Sequence, residues 1–299
     1  MSQAGTPASA GFLIRNLAIC SLAWGSSFLI IKLMRGELSP LAIAACRGVI
    51  GGLTLALFTL WRRQVPLPTR DERVPWLIIG LINGAIPNVL VAFGLTRLDS
   101  GAAALIQSIG PLITAIGAHF LFADERLSAR SVAGVLVGFC GVGLLVGPRA
   151  LEGSATLQGV LAMLGVAICY AIGNLYTRTV RHHDASRLAL GQQVVSGVLA
   201  SAATLAITGP DAFARIPDHL GPLLALGVLA TALPMLMFMH MITRVGPTRA
   251  AVTGYTVPTV AAILGVAVLG EHLTPWQVLG GLIVFLGVWL VALSKRRHA

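Results

Sequence analysis

Acidic residues are scarce in this chain, and none falls inside an apolar stretch. All eleven, at positions 37, 71, 72, 99, 124, 125, 152, 184, 211, 218 and 271, sit in or beside the polar clusters between such stretches. Charge of either sign makes up only 11% of the residues, where a soluble domain carries about 25%. Cysteine is limited to Cys20, Cys46, Cys140 and Cys169, which all lie within apolar stretches and lack metal-ligand spacing. They read as small packing residues, so neither a disulfide framework nor a metal or other cofactor is expected. There is no His-Glu-x-x-His, no pair of aspartates within a stretch and no Gly-x-Ser-Gly with a matched histidine. Hydrolytic chemistry inside a membrane therefore lacks its usual groups. Ten-residue segments of alternating polarity are also missing, which argues against a transmembrane β-barrel.

What is present is hydrocarbon. Hydrophobic residues make up 56% of the 299, and mean hydropathy is +0.85. Apolar stretches cover 12–34, 39–61, 74–95, 100–122, 129–147, 157–178, 187–208, 220–242, 248–270 and 276–294. Each is near the roughly 20 residues that cross about 30 Å of bilayer core as helix. The expectation is an all-α membrane protein of ten transmembrane helices with short loops. The net charge of +10 invites a nucleic-acid reading, but its distribution opposes one. With the N-terminus inside, fifteen Lys and Arg fall on the inner side and five (Lys32, Arg35, Arg97, Arg149, Arg215) on the outer, with Arg47 within a span. That bias places both termini in the cytoplasm, with possible anionic-lipid contact. Ala8-Ser9-Ala10 precedes the first stretch rather than following it, so that stretch reads as an uncleaved span. Nineteen arginines against two lysines suggest a GC-rich bacterial genome, hence a bacterial inner membrane.

The second half of the chain resembles the first. At a constant offset of 147, Leu77–Pro111 aligns with Leu224–Pro258, and nine of 35 positions are identical. They include Gly80 with Gly227, Pro87 with Pro234, Thr96-Arg97 with Thr243-Arg244, and Pro111 with Pro258. A one-residue shift carries Glu125-x-Leu127 onto Glu271-x-Leu273 and Gly134 onto Gly280. The units are 1–150 and 151–299. Five spans in each force the two copies to lie upside down to each other, an arrangement found in secondary transporters with the substrate site between the repeats.

Gly48 and Gly52, Gly134 and Gly138, and Gly143 and Gly147 stand four apart. Such spacing lets helix backbones approach closely in lipid, and intramolecular packing is favoured over a dimer seam. Spans five and ten carry almost no polar side chains and are expected at the periphery. Pro87, Pro111, Pro234 and Pro258 each remove a backbone hydrogen bond within a span. They are expected to kink their helices, either as gates or to curve them around a core.

Polar groups at membrane depth are costly and face a cavity or a partner. The candidates for substrate contact are Trp24, Arg47, Asn83, Asn88, Gln107, Tyr170, Asn174, Gln193 and Tyr255. Thr231, Gln192, Ser108, Thr253 and His240 are further polar groups in the spans. Amides also bond across helices for structural reasons, so both readings stay open. Arg47 lies about 12 Å from the outer edge at 1.5 Å per residue. Its partner is a helix-end carbonyl, an outer-loop acid or the carboxylate of a bound solute. Its repeat counterpart is Gln193, and that of Trp24 is Tyr170. Lys32 and Arg178 also correspond and are expected to snorkel. Without a buried acid, the expectation is a facilitator or a carrier whose coupling group is not a carboxylate.

Trp24-Gly25-Ser26-Ser27-Phe28, Arg47, Pro111, the two Glu-x-Leu pairs and the five-plus-five repeat together resemble the EamA-type branch of the drug/metabolite transporter superfamily. The resemblance covers nearly the whole chain. It implies ten helices, alternating access and export of amino acids or other small metabolites. The glutamates before spans five and ten are expected to act as anions at a helix N-terminus. Bulky anionic substrates, such as nucleotide sugars, would want several cations in the cavity, and lipophilic cationic drugs a buried acid. Neutral or zwitterionic solutes remain, with the bilayer as the other partner and a monomer or weak homodimer as the assembly.

Overall fold

The computed structural model describes residues 10–123, 127–146, 154–180, 182–245 and 253–294. The junction of the two sequence repeats, Glu125 and residues 246–252 lie outside them. Ten helical segments follow one another: α1 (Ala10–Leu33), α2 (Pro40–Trp61), α3 (Arg73–Leu95), α4 (Ser100–Leu121), α5 (Ala129–Val146), α6 (Ser154–Thr179), α7 (Ala185–Ile207), α8 (220–245), α9 (Thr253–Leu269) and α10 (Pro275–Ser294). Seven are long and apolar enough to cross a membrane, and the described parts of α5, α9 and α10 are shorter apolar helices. The only strand-like feature among the described residues is an isolated bridge between Arg35 and Leu38.

Local chemistry sets the helix starts. Ser39 caps α2 through its hydroxyl, 3.2 Å from the Ala42 N–H, with Pro40 at the first helical position. Asp184 caps α7 by accepting from the Ser186 and Arg187 N–H groups. Thr274 and Gln277 cap α10 reciprocally: Gln277 N–H donates to Thr274 Oγ1 and Thr274 N–H to Gln277 Oε1. Inside the spans, Thr54, Thr59 and Thr204 return their hydroxyls to the carbonyl four residues back, and Ser21 does the same while also bonding the Thr256 hydroxyl of α9.

The packing repeats the symmetry of the sequence. α2 packs along α7 and α5 along α10, each against its own repeat counterpart. The first segment of α4 also packs on its counterpart α9, and the other main pairs come as mates: α1 with α9 and α6 with α4, α1 with α8 and α6 with α3, α2 with α8 and α7 with α3. Glycine permits the α2–α7 and α5–α10 seams. A Cβ added at Gly48 would lie 2.5 Å from Gly197 N, and one at Gly287 would lie 2.5 Å from Gly134 O and Gly138 N. Backbone meets backbone there, so the Gly48 and Gly134/Gly138 spacings serve seams within the chain. α5 and α10 pack chiefly on each other and touch the rest through α4.

The prolines act in three ways. In α3 and α8 a π-helical segment, Gly80–Ala85 and Ala225–Ala232, runs up to just before Pro87 and Pro234. The wider turn accommodates the ring and the missing N–H without ending the helix. In α4 the chain breaks: one helix ends at Gln107 and the next starts at Gly110, with Pro111 in its first turn. In α9, Pro258 lies inside a continuous helix.

Candidate functional site

Arg47 sits where α2, α7 and α8 cross, and its residue surface is only 8% exposed. Its Nε–H donates to Thr231 Oγ1 at 2.9 Å, and the Thr231 hydroxyl donates in turn to Leu226 O at 2.7 Å. Thr231 belongs to the π-helical segment of α8, so the guanidinium is tied to that bulge. Among the described residues neither a carbonyl nor an acid bonds Arg47, and a hydroxyl does so instead. Its terminal nitrogens carry no hydrogen bond among the described residues. Tyr170 of α6 lies within electrostatic reach of it. Gln193, on α7, is 2% exposed with an Oε1 that has no partner. A Cβ on Gly51 would stand 3.3 Å from Thr231 Cγ2 and 3.4 Å from Gln193 Oε1, so these groups share one layer.

The other amides divide between braces and open groups. Asn88 Nδ2 donates to Ser196 Oγ at 3.2 Å and ties α3 to α7. Gln192 Nε2 donates to Asn83 O at 3.0 Å, the carbonyl four residues before Pro87 whose helical donor is missing. The Asn83 side chain lies against Gly173 of α6, and its buried Oδ1 has no partner. Gln107 ends the first segment of α4 with a buried, unpartnered Oε1. Orphaned buried acceptors are expensive unless something else satisfies them.

Asn174 stands one turn beyond Tyr170 on α6 and is exposed. Leu157, Leu161, Ile168 and Ile172 form the exposed apolar stripe of that helix. At 100° per residue Asn174 lies well off that stripe, on the side of Tyr170 and the buried Met163 and Ala167. Its exposure is therefore to an opening within the bundle rather than to lipid. Trp24 meets Phe238 of α8 edge to face at 5.3 Å and 62°. The side chain of Tyr255 lies outside the described residues. Pro87, Pro234 and Pro258 are buried, and Pro111 is exposed at the break in α4. Arg47, Gln193 and Tyr170 are thus brought together, Asn83 lies against α6, and Trp24 sits apart against α8.

Arg215 pairs with Glu37 and Asp218 outside this layer, and two further ionic clusters there involve buried side chains. Lys32 does not snorkel: its side chain is 9% exposed, and Nζ donates to Glu271 Oε1 at 2.5 Å and Asp99 Oδ1 at 3.1 Å. Glu271 also accepts from Ser100 N–H at 2.9 and 3.1 Å and from the Ser100 hydroxyl at 3.0 Å. It is an anion at a helix N-terminus, but of α4 rather than of the α10 that follows it. Burial pushes the Glu271 carboxyl up, but the hydrogen bonds from Lys32 and Ser100 outweigh it and hold it below the usual carboxylate range. Elsewhere, Arg187 grips Glu72 with two bonds of 2.6 Å and reaches Val65 O and Leu67 O. The Arg187 guanidinium holds the Glu72 carboxyl down at about 2. Thr231, Lys32, Asp99, Ser100 and Glu271 were not among the expected contact residues, although the depth of Thr231 in its span and the recurrence of Lys32 and Glu271 in the repeat were signals. Among the described residues no group of three or more His, Cys, Asp or Glu could hold a metal ion.

Known proteins share this architecture. A crystal structure of another protein superposes with a TM-score of 0.69 at 18% identity, covering 97% of this chain and 99% of that one. An uncharacterized transporter of Archaeoglobus fulgidus is 25% identical over 94% of this chain and 97% of its own length. The uncharacterized inner membrane transporter YedA of Escherichia coli (strain K12) is 28% identical over 92% and 88%. YoaV, an uncharacterized transporter of Bacillus subtilis (strain 168), is 20% identical over 93% and 96%. The profile of the EamA-like transporter family matches twice, at 13–147 and 157–293, once on each repeat. The chain is a multi-pass membrane transporter rather than an enzyme, and it belongs to the EamA-like transporter family.

Proposed function

We propose that this transporter exports small zwitterionic metabolites, amino acids foremost, across a bacterial cytoplasmic membrane by alternating access. The observation that carries the reading is Arg47. It is a buried cation with one N–H committed to Thr231 and its terminal nitrogens open, and no acid among the described residues pairs with it. A solute carboxylate fits that fork, and a bidentate charge-assisted pair would replace the missing bonds. Gln193, Asn83 and Gln107 each offer a buried carbonyl oxygen with no partner, which suits an ammonium or hydroxyl on the same solute. Asn174 lines the way in, and Tyr170 supplies an apolar ring beside the guanidinium.

Packing also suggests which bodies move. α1, α8 and α9 pack together, as do α3, α4 and α6, and each group draws helices from both repeats. Rocking of these two groups, with the α2–α7 and α5–α10 seams as fixed crossings, suits the interleaved fold better than motion of one sequence half against the other. Proteoliposomes containing the chain, loaded in turn with single radiolabelled amino acids and with their decarboxylated amines, test the reading. Efflux of one or more amino acids is expected, with the matching amine left behind. Amines that leave as fast as their parent acids would rule out carboxylate recognition by Arg47.

A further inference from the structure

Among the described residues the two helix groups meet closely at one end. At the end carrying Lys32, α1 packs on the start of α4, and α4 packs on α9. Glycine makes the fit tight: a Cβ on Gly265 would meet Glu271 Oε2 at 2.3 Å, and one on Gly101 would meet Leu273 at 2.9 Å and Ala262 at 3.3 Å. Beneath the charges Phe28, Ile31, Leu98, Ala103 and Ala104 belong to one buried apolar cluster. The repeat would place equivalent packing at the other end, between α6 and α9 and between the second segment of α4 and α9. Neither is a packed pair among the described residues, and Asn174 is exposed on that side of Tyr170.

We infer that Lys32, Asp99, Ser100 and Glu271 form a latch holding the Lys32 end of the transport path shut, with Glu271 as a proton-binding site that releases it. The inference rests on the alternating-access reading above. By the distribution of basic residues this is the outer end. Glu271 bonds at once to α1 through Lys32 and to the N-terminus of α4 through Ser100, so one carboxylate bridges both helix groups. The titratable groups around it are Lys32 from α1, Asp99 ahead of α4, which is 46% exposed, and its own exposed neighbour His272. None of these can replace Glu271 as the anion for both Lys32 and the α4 N-terminus.

Opening outward must separate Lys32 from Glu271 and hydrate both. A proton taken up by the carboxylate from outside water removes its charge, and Lys32 leaves as an ammonium ion. The proton returns to the same water when the latch closes. It therefore sets the rate of opening and carries no driving force across the membrane. Because hydrogen bonds from Lys32 and Ser100 hold the carboxyl below its usual range, the latch stays shut at neutral pH and loosens only under clearly acidic conditions.

The test reads accessibility and needs no knowledge of the solute. Ala104 lies one turn inward of Ser100 and is 1% exposed. The full-length chain would carry Ala104→Cys with the four native cysteines replaced. Whole cells would then be treated with a thiol reagent that cannot cross the membrane. Glu271→Gln keeps an acceptor for Ser100 N–H but loses the ion pair, and Lys32→Met loses it from the other side. Each is expected to raise the labelling rate about tenfold at neutral pH, the scale of one charge-assisted hydrogen bond. The ratio of the Glu271→Gln rate to the latch-intact rate should stay constant from neutral pH down to the ordinary carboxylate value of 4.5 and fall toward one only as outside pH drops below it. Taking the ratio cancels the thiol's own pH dependence. Glu72→Gln, at the opposite ion pair, should leave labelling unchanged. Equal rates with and without the latch would overturn the inference, and so would the same increase from Glu72→Gln, which would mean general loosening. Loss of amino-acid efflux in the liposome assay would leave this result untouched.

Discussion

In the first half of the chain α4 breaks between Gln107 and Gly110 ahead of Pro111, whereas in the second half α9 runs unbroken through Pro258. Elsewhere the halves agree in backbone: both third helices of the repeat widen into a π-helical turn before a proline, and both seams close over glycine. They disagree in side chains. Arg47 stands where its counterpart is Gln193, and Glu72 grips Arg187 where its counterpart, His219, leaves a buried Nε2 without a partner. Backbone devices that allow bending are shared because both repeats must bend. Groups that recognise a solute need occur only once, since one solute occupies one place between the repeats.

The largest expected effect tests the shared part. Gly48→Leu and Gly197→Leu each drive a side chain into the facing backbone at a 2.5–2.6 Å approach. Both should abolish folded protein in the membrane, read as loss of abundance and of a monodisperse peak in detergent. A defect in only one would break the symmetry of the seam. Next, Thr231→Val removes the hydroxyl that holds Arg47 Nε. KM for the exported solute should rise about fivefold to tenfold, with Thr231→Ser close to wild type, as the loss of one hydrogen bond to a charged group implies. An unchanged KM would free Arg47 from α8. A smaller contrast separates the prolines. Pro111→Ala restores an N–H at the break and should slow transport severalfold by straightening α4, whereas Pro258→Ala, in a helix already continuous, should change it little. Similar rates for both would show that the break in α4 is not a functional difference between the halves.

The smallest effect is on stability. The carboxyl of Glu72 is held down from its ordinary 4.5 to about 2, so its pairing stabilises the fold fully above about 4.5. That contribution is lost as pH falls from there toward about 2. Thermal unfolding in detergent should shift downward over this window by a few degrees, about 2–4 °C per kcal/mol for a chain of roughly this size or smaller. Glu72→Gln should flatten that part of the curve. A pH dependence that survives the substitution would place its source elsewhere.

Much of this was legible in the sequence, because hydrophobic length and repeat symmetry are local or self-referential signals. The ten segments and the Gly48 and Gly134/Gly138 seams follow from spacing and the peripheral α5–α10 pair from its lack of polar side chains, whereas an added Cβ at Gly143, also part of a four-residue spacing, would meet nothing within 4 Å. The fate of each proline was not legible: Pro87 and Pro111 look alike in sequence, but neighbouring helices decide between a π turn and a break. Partner choice was also hidden. Glu271 lies 171 residues from Ser100 and 239 from Lys32 along the chain, and no spacing rule joins them. Asn88 and Gln192 look like solute ligands in sequence, yet they brace Ser196 and the Asn83 carbonyl. An amide in a span announces that it needs a partner without saying which.

The asymmetry of the site is tested most directly by initial efflux rates of one amino acid from proteoliposomes containing wild type, Arg47→Gln or Gln193→Ala at equal reconstituted amounts. Arg47→Gln should reduce kcat/KM by tenfold or more, since a charge-assisted contact of about 1.5–3 kcal/mol is lost, and Gln193→Ala by less. Equal efflux by wild type and Arg47→Gln would contradict the account, because the buried cation would then have no part in holding the solute.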